Sequence, residues 1–222
     1  MADKRLKPLS SGLKRSLEIA VSKAEKNIHL AEEWLQARGL DLPTAIDHRL
    51  GVVVDPIPGQ SEHIVGRLSI PFLGPAGPVY IQYRQLPDGA GVTGDGAKYL
   101  GWTGSAARIY GIRSLLEADD VIHVAEGPLD SVVLNSLGLV SVGIPGAQRF
   151  EKHWPRVFAG FSKVVIWADG DDAGRQMAKK WTQEIDQAVV VPMPSGEDVN
   201  SLLVKDGPEA IHQLLKQALA DE

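Results

Sequence analysis

Two acidic signatures carry most of the side chains able to do chemistry: Glu126-Gly-Pro-Leu-Asp130 and Asp169-Gly-Asp171-Asp172-Ala-Gly174. Positions i and i+2 of a tight turn can aim two carboxylates at one cation, and Gly170 between them permits such a turn. Asp169 and Asp171 are therefore the first metal-ligand candidates. Glu126 either joins them or takes the proton from an attacking hydroxyl, since both uses need a carboxylate beside the metal. Carboxylates brought together repel unless protons or cations neutralise them, and hard oxygen donors suit Mg²⁺ or Mn²⁺. A third acidic element, Gly196-Glu-Asp198-Val-Asn200, adds Asp198 as outer charge. Gly127 keeps its turn open, and Gly174 lets backbone approach closely. Asp130 either serves the site or stabilises the first turn of a helix, where negative charge is favoured. Asp172, directly before a helical run, reads as that helix's N-cap.

These residues need a frame that brings distant turns together. Each main signature follows a short apolar run, 121–125 and 164–168, of the kind that forms a strand covered on both faces. Further strands are expected at 139–142 and 188–191. Helices are expected at 128–136, near 150–157, at 172–185, near 199–205 and at 208–220. Alternating strands and helices predict an α/β fold with an open parallel sheet and flanking helices, whose ligand crevice lies beyond the carboxyl ends of the strands. Upstream, apolar residues recur at helical spacing over 12–38, with a break near Asn27 and a stop at Gly39. A short helix over 43–49, an apolar stretch at 50–54 and a hairpin of 64–72 with 79–85 follow. The glycine-rich 87–96 reads as a mobile loop. The expected organisation is a flexible basic arm (1–9), a smaller α+β subdomain (10–115) and the parallel-sheet domain with C-terminal helices (116–222).

The chain has 222 residues and a net charge of −5, unevenly spread. Residues 1–115 carry 14 basic and 11 acidic side chains, a balance of +3; residues 116–222 carry 9 and 17, a balance of −8. A basic half able to hold a polyanion would then face an acidic half that concentrates metal. With no cysteine, disulfides, cysteine-ligated zinc and iron–sulfur clusters are excluded, and a reducing, cytoplasmic setting fits. No run of about 18 apolar residues and no signal-peptide pattern suggests export or membrane insertion. The six histidines are scattered without ligand spacing.

The ordered acidic set resembles the Toprim domain of primases, topoisomerases and some nucleases, in which a Glu after one strand and an Asp-x-Asp after a later one surround a divalent metal. The resemblance reaches further. Ala31-Glu-Glu-Trp-Leu-Gln-Ala-Arg38-Gly-Leu40, Leu50-Gly-Val52, Gly66-Arg67-Leu-Ser-Ile-Pro71-Phe72, Tyr83-Arg84, Lys98-Tyr99-Leu100 and Arg108-Ile-Tyr110-Gly111 are similar, in order, to the bacterial DnaG-type primase catalytic core. The resemblance covers roughly residues 28–210. It implies template-directed synthesis of short RNA primers from nucleoside triphosphates on single-stranded DNA. Glu126, Asp169 and Asp171 would be catalytic, with Asp198 joining them around the metal.

Arg67, Arg84, Lys98 and Arg108 would hold template and nucleotide, against the alternative of ordinary surface charge. Trp102, next to Lys98 and Tyr99, is the aromatic placed to stack on a base. Asn200 stands where many relatives carry an acid, which lowers the charge available to a second metal. On this resemblance the zinc ribbon and helicase-binding domain of such primases are expected to be missing. The expectation is therefore a stripped-down phage or mobile-element primase without zinc, helped in trans by a replicative helicase or a zinc-module protein. A Toprim nuclease, or a nucleic-acid-binding accessory protein with vestigial chemistry, are the alternatives.

Overall fold

The computed structural model describes residues 8–87, 97–105, 108–146 and 150–220. Most of the expected basic arm and of the glycine-rich loop at 87–96 lie outside these residues. Helix α1 (Ser11–Ala24) starts where the Ser10 hydroxyl accepts from the Leu13 N–H at 3.1 Å, and it buries Leu17, Ala20, Val21 and Ala24 on one stripe. The regular helix breaks at Asn27 (φ −111°, ψ 17°) inside a 3₁₀ segment, Glu25–Ala31. It resumes as α2 (Glu32–Gln36) and stops before Gly39, whose φ of 72° is left-handed. Helix α3 (Leu42–Asp47) is capped by Asp41, which accepts from the Thr44 N–H at 2.9 Å.

Four antiparallel strands follow: β1 (Gly51–Val52), β2 (Leu68–Gly74), β3 (Gly77–Arg84) and β4 (Tyr99–Gly101), in spatial order β1-β2-β3-β4. The hairpin begins later than its apolar pattern suggested. Residues Glu62–Ile64 form a 3₁₀ turn and Gly66 takes φ 78°, so pairing starts only at Leu68.

The second sheet is parallel, with order β6-β5-β7-β8, from β5 (Val121–Ala125), β6 (Ser141–Gly143), β7 (Lys163–Ala168) and β8 (Ala188–Pro192). Its helices are α4 (Pro128–Ser136), α5 (Pro155–Phe158), α6 (Asp172–Glu184), α7 (Val199–Asp206) and α8 (Pro208–Ala220). The helix expected near 150–157 shrinks to α5, which starts at Pro155, a first-turn position where the missing N–H has no partner to lose.

Successive side chains point to opposite faces of the parallel sheet, and the two faces bury different partners. Ile122, Val124, Val164 and Ile166 pack with Trp154, Phe158, Met177 and Trp181. Ala125, Val165, Trp167 and Val191 pack with Leu129, Val132 and Leu202, in a core continuous with α1 and the antiparallel sheet. The segment after β4 is tied to the parallel sheet through backbone: Tyr110 N–H donates to the Gly143 carbonyl (2.8 Å) and Gly143 N–H to the Tyr110 carbonyl (3.1 Å). Emptying one of these aromatic sites, as in Trp181→Ala, costs about 3–5 kcal/mol.

The strand order determines where chemistry can occur. From β5 the chain crosses through α4 to β6 on one side, whereas from β7 it crosses through α6 to β8 on the other. The carboxyl ends of β5 and β7 are neighbours, with Ala125 opposite Trp167. Crossovers that diverge there open a crevice above the sheet. Among the described residues no helix is long and apolar enough to cross a membrane.

Candidate active site

Glu126 and Asp169 each follow immediately on those two strand ends. Asp130 lies in the first turn of α4, and Asp198 caps α7, its Oδ1 accepting from the Ser201 N–H at 2.7 Å. All four line a cleft of about 370 Å³ whose opposite wall is antiparallel sheet: Gln82, Arg84, Lys98 and Tyr99.

Backbone approach explains how Asp198 reaches Asp169. Gly170 N–H donates to the Glu197 carbonyl and the Gly170 carbonyl accepts from the Gly196 N–H, both at 2.9 Å. A Cβ at Gly170 would run into the Pro194 carbonyl, so no other residue fits. The requirement is close contact rather than a left-handed turn. At Gly174 a Cβ would strike the Asp169 backbone, and at Gly127 it would sit 2.7 Å from the Asp130 carboxylate.

The cap of α6 is Asp171, whose Oδ1 accepts from the Gly174 N–H at 2.8 Å; Asp172 is exposed and paired with Arg175. This moves the cap one residue upstream of the sequence expectation. Bonding through one oxygen does not remove the Asp171 charge from the site, where it still pushes on Glu126 and Asp169.

Glu126 Oε2, Asp130 Oδ1 and Asp169 Oδ1 are buried without a hydrogen-bond partner. Burial, followed by the neighbouring charges of Asp171 and Asp130, pushes the Glu126 carboxyl up to about 7. Burial and then Glu126, Asp198 and Asp171 push Asp169 up to about 7. Asp130 is raised well above the usual range by burial and then by Asp169 and Asp198, while the backbone N–H of Asn200 pulls the other way. The exposed Lys98 opposes the shifts at Glu126 and Asp169.

Among the described residues no three acidic or histidine side chains form a ready-made metal cage. The donor set still fits a hard divalent cation, because unpaired carboxylate oxygens that repel one another are what such an ion neutralises. Asn200 takes no place in this set. It is buried, and its amide donates to the Arg38 carbonyl at 3.1 Å, tying α7 to the N-terminal layer.

The basic candidates divide. Arg84 stays in the cleft wall, donating to the Tyr99 hydroxyl and lying 4.9 Å from the Tyr99 ring and 5.5 Å from the Trp34 ring. Lys98 lines the same wall, whereas Arg108 is exposed and outside the cleft lining. Arg67 does not face the cleft. It is 1% exposed and donates to the His63 and Ala97 carbonyls at 2.7 and 2.8 Å, a structural task in place of the expected phosphate contact. Trp102 is likewise withdrawn, 5% exposed in the shared core, where it cannot stack on a base.

Sequence reasoning missed Arg38 as a site neighbour. Its guanidinium stacks 4.4 Å from the Trp34 ring, close enough to Asp198 and Asp130 to feel their charge. The signal was its place four residues after Trp34, one helical turn away.

A Toprim domain model matches residues 121–209. The Gene 57 protein of Mycobacterium phage D29 is 36% identical over 131 residues, which is 59% of this chain and 82% of that protein. The DNA primase of Pseudomonas putida is 32% identical over 106 residues, 44% of this chain. The chain spans only 16% of that primase's length. The fold superimposes on the RNA polymerase domain of Mycobacterium tuberculosis primase DnaG with a TM-score of 0.74 at 20% identity, covering 94% of this chain and 84% of that one. The chain belongs to the family of that phage protein, carries a Toprim domain, and has the fold of the DnaG catalytic core. Within that fold, β5 and β7 are the Toprim strands that present Glu126 and Asp169, and the antiparallel sheet is the layer facing them.

Proposed function

We propose that the protein is a primase that joins ribonucleoside triphosphates into short RNA primers on single-stranded DNA, dependent on Mg²⁺ or Mn²⁺. The observation that carries this reading is the group of half-buried carboxylates, each with one buried oxygen that lacks a partner, facing Lys98 and Arg84 across one cleft. Residues 10–115 would grip nucleotide and template, and residues 116–222 would hold the metal. A replicative helicase or a zinc-module protein acting in trans, in the cytoplasm of a phage-infected bacterium, belongs to the same proposal.

When bound, a divalent ion neutralises the triphosphate and activates the attacking 3′-oxygen. Glu126, Asp169 and Asp171 would hold it, with Asp198 and Asp130 adding outer charge. Lys98 offers a point charge and Arg84 a planar fork to the phosphates from the opposite wall. Alternatively, Glu126 Oε2, which has no hydrogen-bond partner, would accept the proton released by the 3′-hydroxyl in place of holding the ion.

The test is a priming assay on mixed-sequence single-stranded DNA with four ribonucleotides, one labelled, in Mg²⁺ and in Mn²⁺, with wild type beside Asp169→Asn. Short labelled products from wild type alone are expected. Equal product from both proteins would displace the site. Metal-dependent breakdown of a labelled strand without nucleotides would favour a Toprim nuclease instead.

A further inference from the structure

Much of the cleft wall that faces the carboxylates comes from one strand. Residues i and i+2 of a strand share a face, and Tyr80, Gln82 and Arg84 of β3 all line the cleft. Phenol, amide and guanidinium therefore stand in a row, at steps of roughly 6–7 Å. Arg84 has its role in the proposed phosphate contact, and Gln82 has none. Gln82 is 8% exposed, and its Oε1 is buried without a hydrogen-bond partner. Its neighbours across the sheet are Ile70 of β2 and Gly101 of β4, neither of which has a side chain that can donate. A larger residue cannot stand at Gly101, because a Cβ there would strike the Tyr80 hydroxyl.

A buried amide oxygen without a donor is costly to keep, and this one sits on a side chain that lines the ligand space. What it lacks identifies the group it would meet. Ionised carboxylates and phosphates accept but cannot donate, so the unpartnered oxygens of Glu126, Asp130 and Asp169 across the cleft do not serve it. A hydroxyl donates to an amide oxygen and accepts from an amide NH₂, so it satisfies both ends of Gln82. The order along β3 says which hydroxyl. With a nucleotide's phosphates on Arg84, one step along the strand reaches its sugar, and a second step, at Tyr80, reaches its base. Of the two sugar hydroxyls, the 3′ must stay free to react in the next addition, which leaves the 2′.

We infer that Gln82 is a specificity-determining residue: it holds the ribose 2′-hydroxyl of the incoming nucleotide and so selects ribonucleotides over deoxyribonucleotides. The inference rests on the priming reading and adds to it the residue that tells the two sugars apart. A site built to hydrogen-bond a substrate hydroxyl rejects the analogue that lacks it, because its own buried polar group is then left unpaired.

The experiment is isothermal titration of the whole chain with ATP, 2′-deoxy-ATP and 3′-deoxy-ATP in Mg²⁺, without template. It compares wild type with Gln82→Met, Gln82→Asn and Gln82→Glu. Wild type should bind ATP about 10-fold more tightly than 2′-deoxy-ATP, the worth of one hydrogen bond. Gln82→Met, which lacks the amide, and Gln82→Asn, which draws it back from the ligand, should both erase that preference by weakening ATP alone. Gln82→Glu keeps an acceptor oxygen at the same reach and should keep the preference. Melting of Gln82→Met should hold or rise, since an unpaired buried acceptor is removed; an amide with a purely structural task would lower it. A 2′-hydroxyl preference that survives in Gln82→Met and Gln82→Asn would overturn the inference. Discrimination against 3′-deoxy-ATP alone would overturn it too, by moving the contact to the other hydroxyl. Wild type that binds ATP without telling the sugars apart would overturn this inference and leave the priming reading standing, whereas wild type that binds none of the three would overturn both.

Discussion

In the antiparallel sheet and the helices around it, several cations already have partners. Arg67 is buried against two carbonyls, and Arg49 bridges Glu18 at 2.7 Å and Glu25 at 2.9 Å. At the carboxyl edge of the parallel sheet the charges are only half satisfied: Glu126, Asp130 and Asp169 each keep a buried oxygen with no donor. An unpaired buried polar group costs about 1–3 kcal/mol, so a fold that keeps three in one place is set up for a ligand that supplies the missing charge. The antiparallel sheet, by contrast, provides a wall whose cations in the cleft are Arg84 and Lys98.

The sharpest way to break this contrast is Glu126→Gln. Loss of a positioned carboxylate should lower primer synthesis by about 10²–10⁴-fold. The melting temperature without divalent cation should hold or rise, since one of the repelling charges is gone. A variant that loses stability instead would mean that Glu126 is a structural residue.

Next in size is the pairing of Arg67→Met with Lys98→Met. Removing the buried Arg67 leaves the His63 and Ala97 carbonyls without their donor, at about 1–3 kcal/mol each. Melting should fall by roughly 2–4 °C for every kcal/mol lost. Lys98→Met should leave melting unchanged and weaken nucleotide binding. If the two results were exchanged, the division between spoken-for and available cations would be wrong.

The smallest effect is a pH dependence. Glu126 and Asp169 rise to about 7 from ordinary values of 4.5 and 3.8, so between those limits the folded protein holds protons that the unfolded chain has released. Stability therefore falls as pH rises from about 4 through 7. Melting in a chelator should drop by a few degrees between pH 5 and 8, discounted for the solvent that reaches both groups. Asp169→Asn should flatten that slope, and added Mg²⁺ should restore melting at the alkaline end. A chelated protein that grows more stable with pH would show that the carboxylates do not repel.

Much of the frame can be read from local pattern. The expected strand at 121–125 and the helices at 128–136 and 208–220 match β5, α4 and α8, because short buried runs and helical spacing are written within each segment. The same holds for the break at Asn27. The adjacency of Glu126 and Asp169 also followed from sequence, once alternating strands and helices implied a parallel sheet with its crevice at the strand ends.

The errors have one cause, which is that they turn on non-local partners. Arg67 points inward because the carbonyls of His63 and Ala97 wait there, and Ala97 is 30 residues away. Asp171 takes the cap in place of Asp172 within a turn whose Gly170 is clamped to residues 194–197. Arg38 enters the site's field only when α7 and the antiparallel sheet close around it.

Residue order was enough to set the elements, their alternation and the strand ends at which acids accumulate, since periodicity and turn chemistry act over a few residues. Only the folded chain decided which charges are buried, which are paired and which face the cleft. Those outcomes depend on desolvation and on neighbours brought together from distant parts of the sequence.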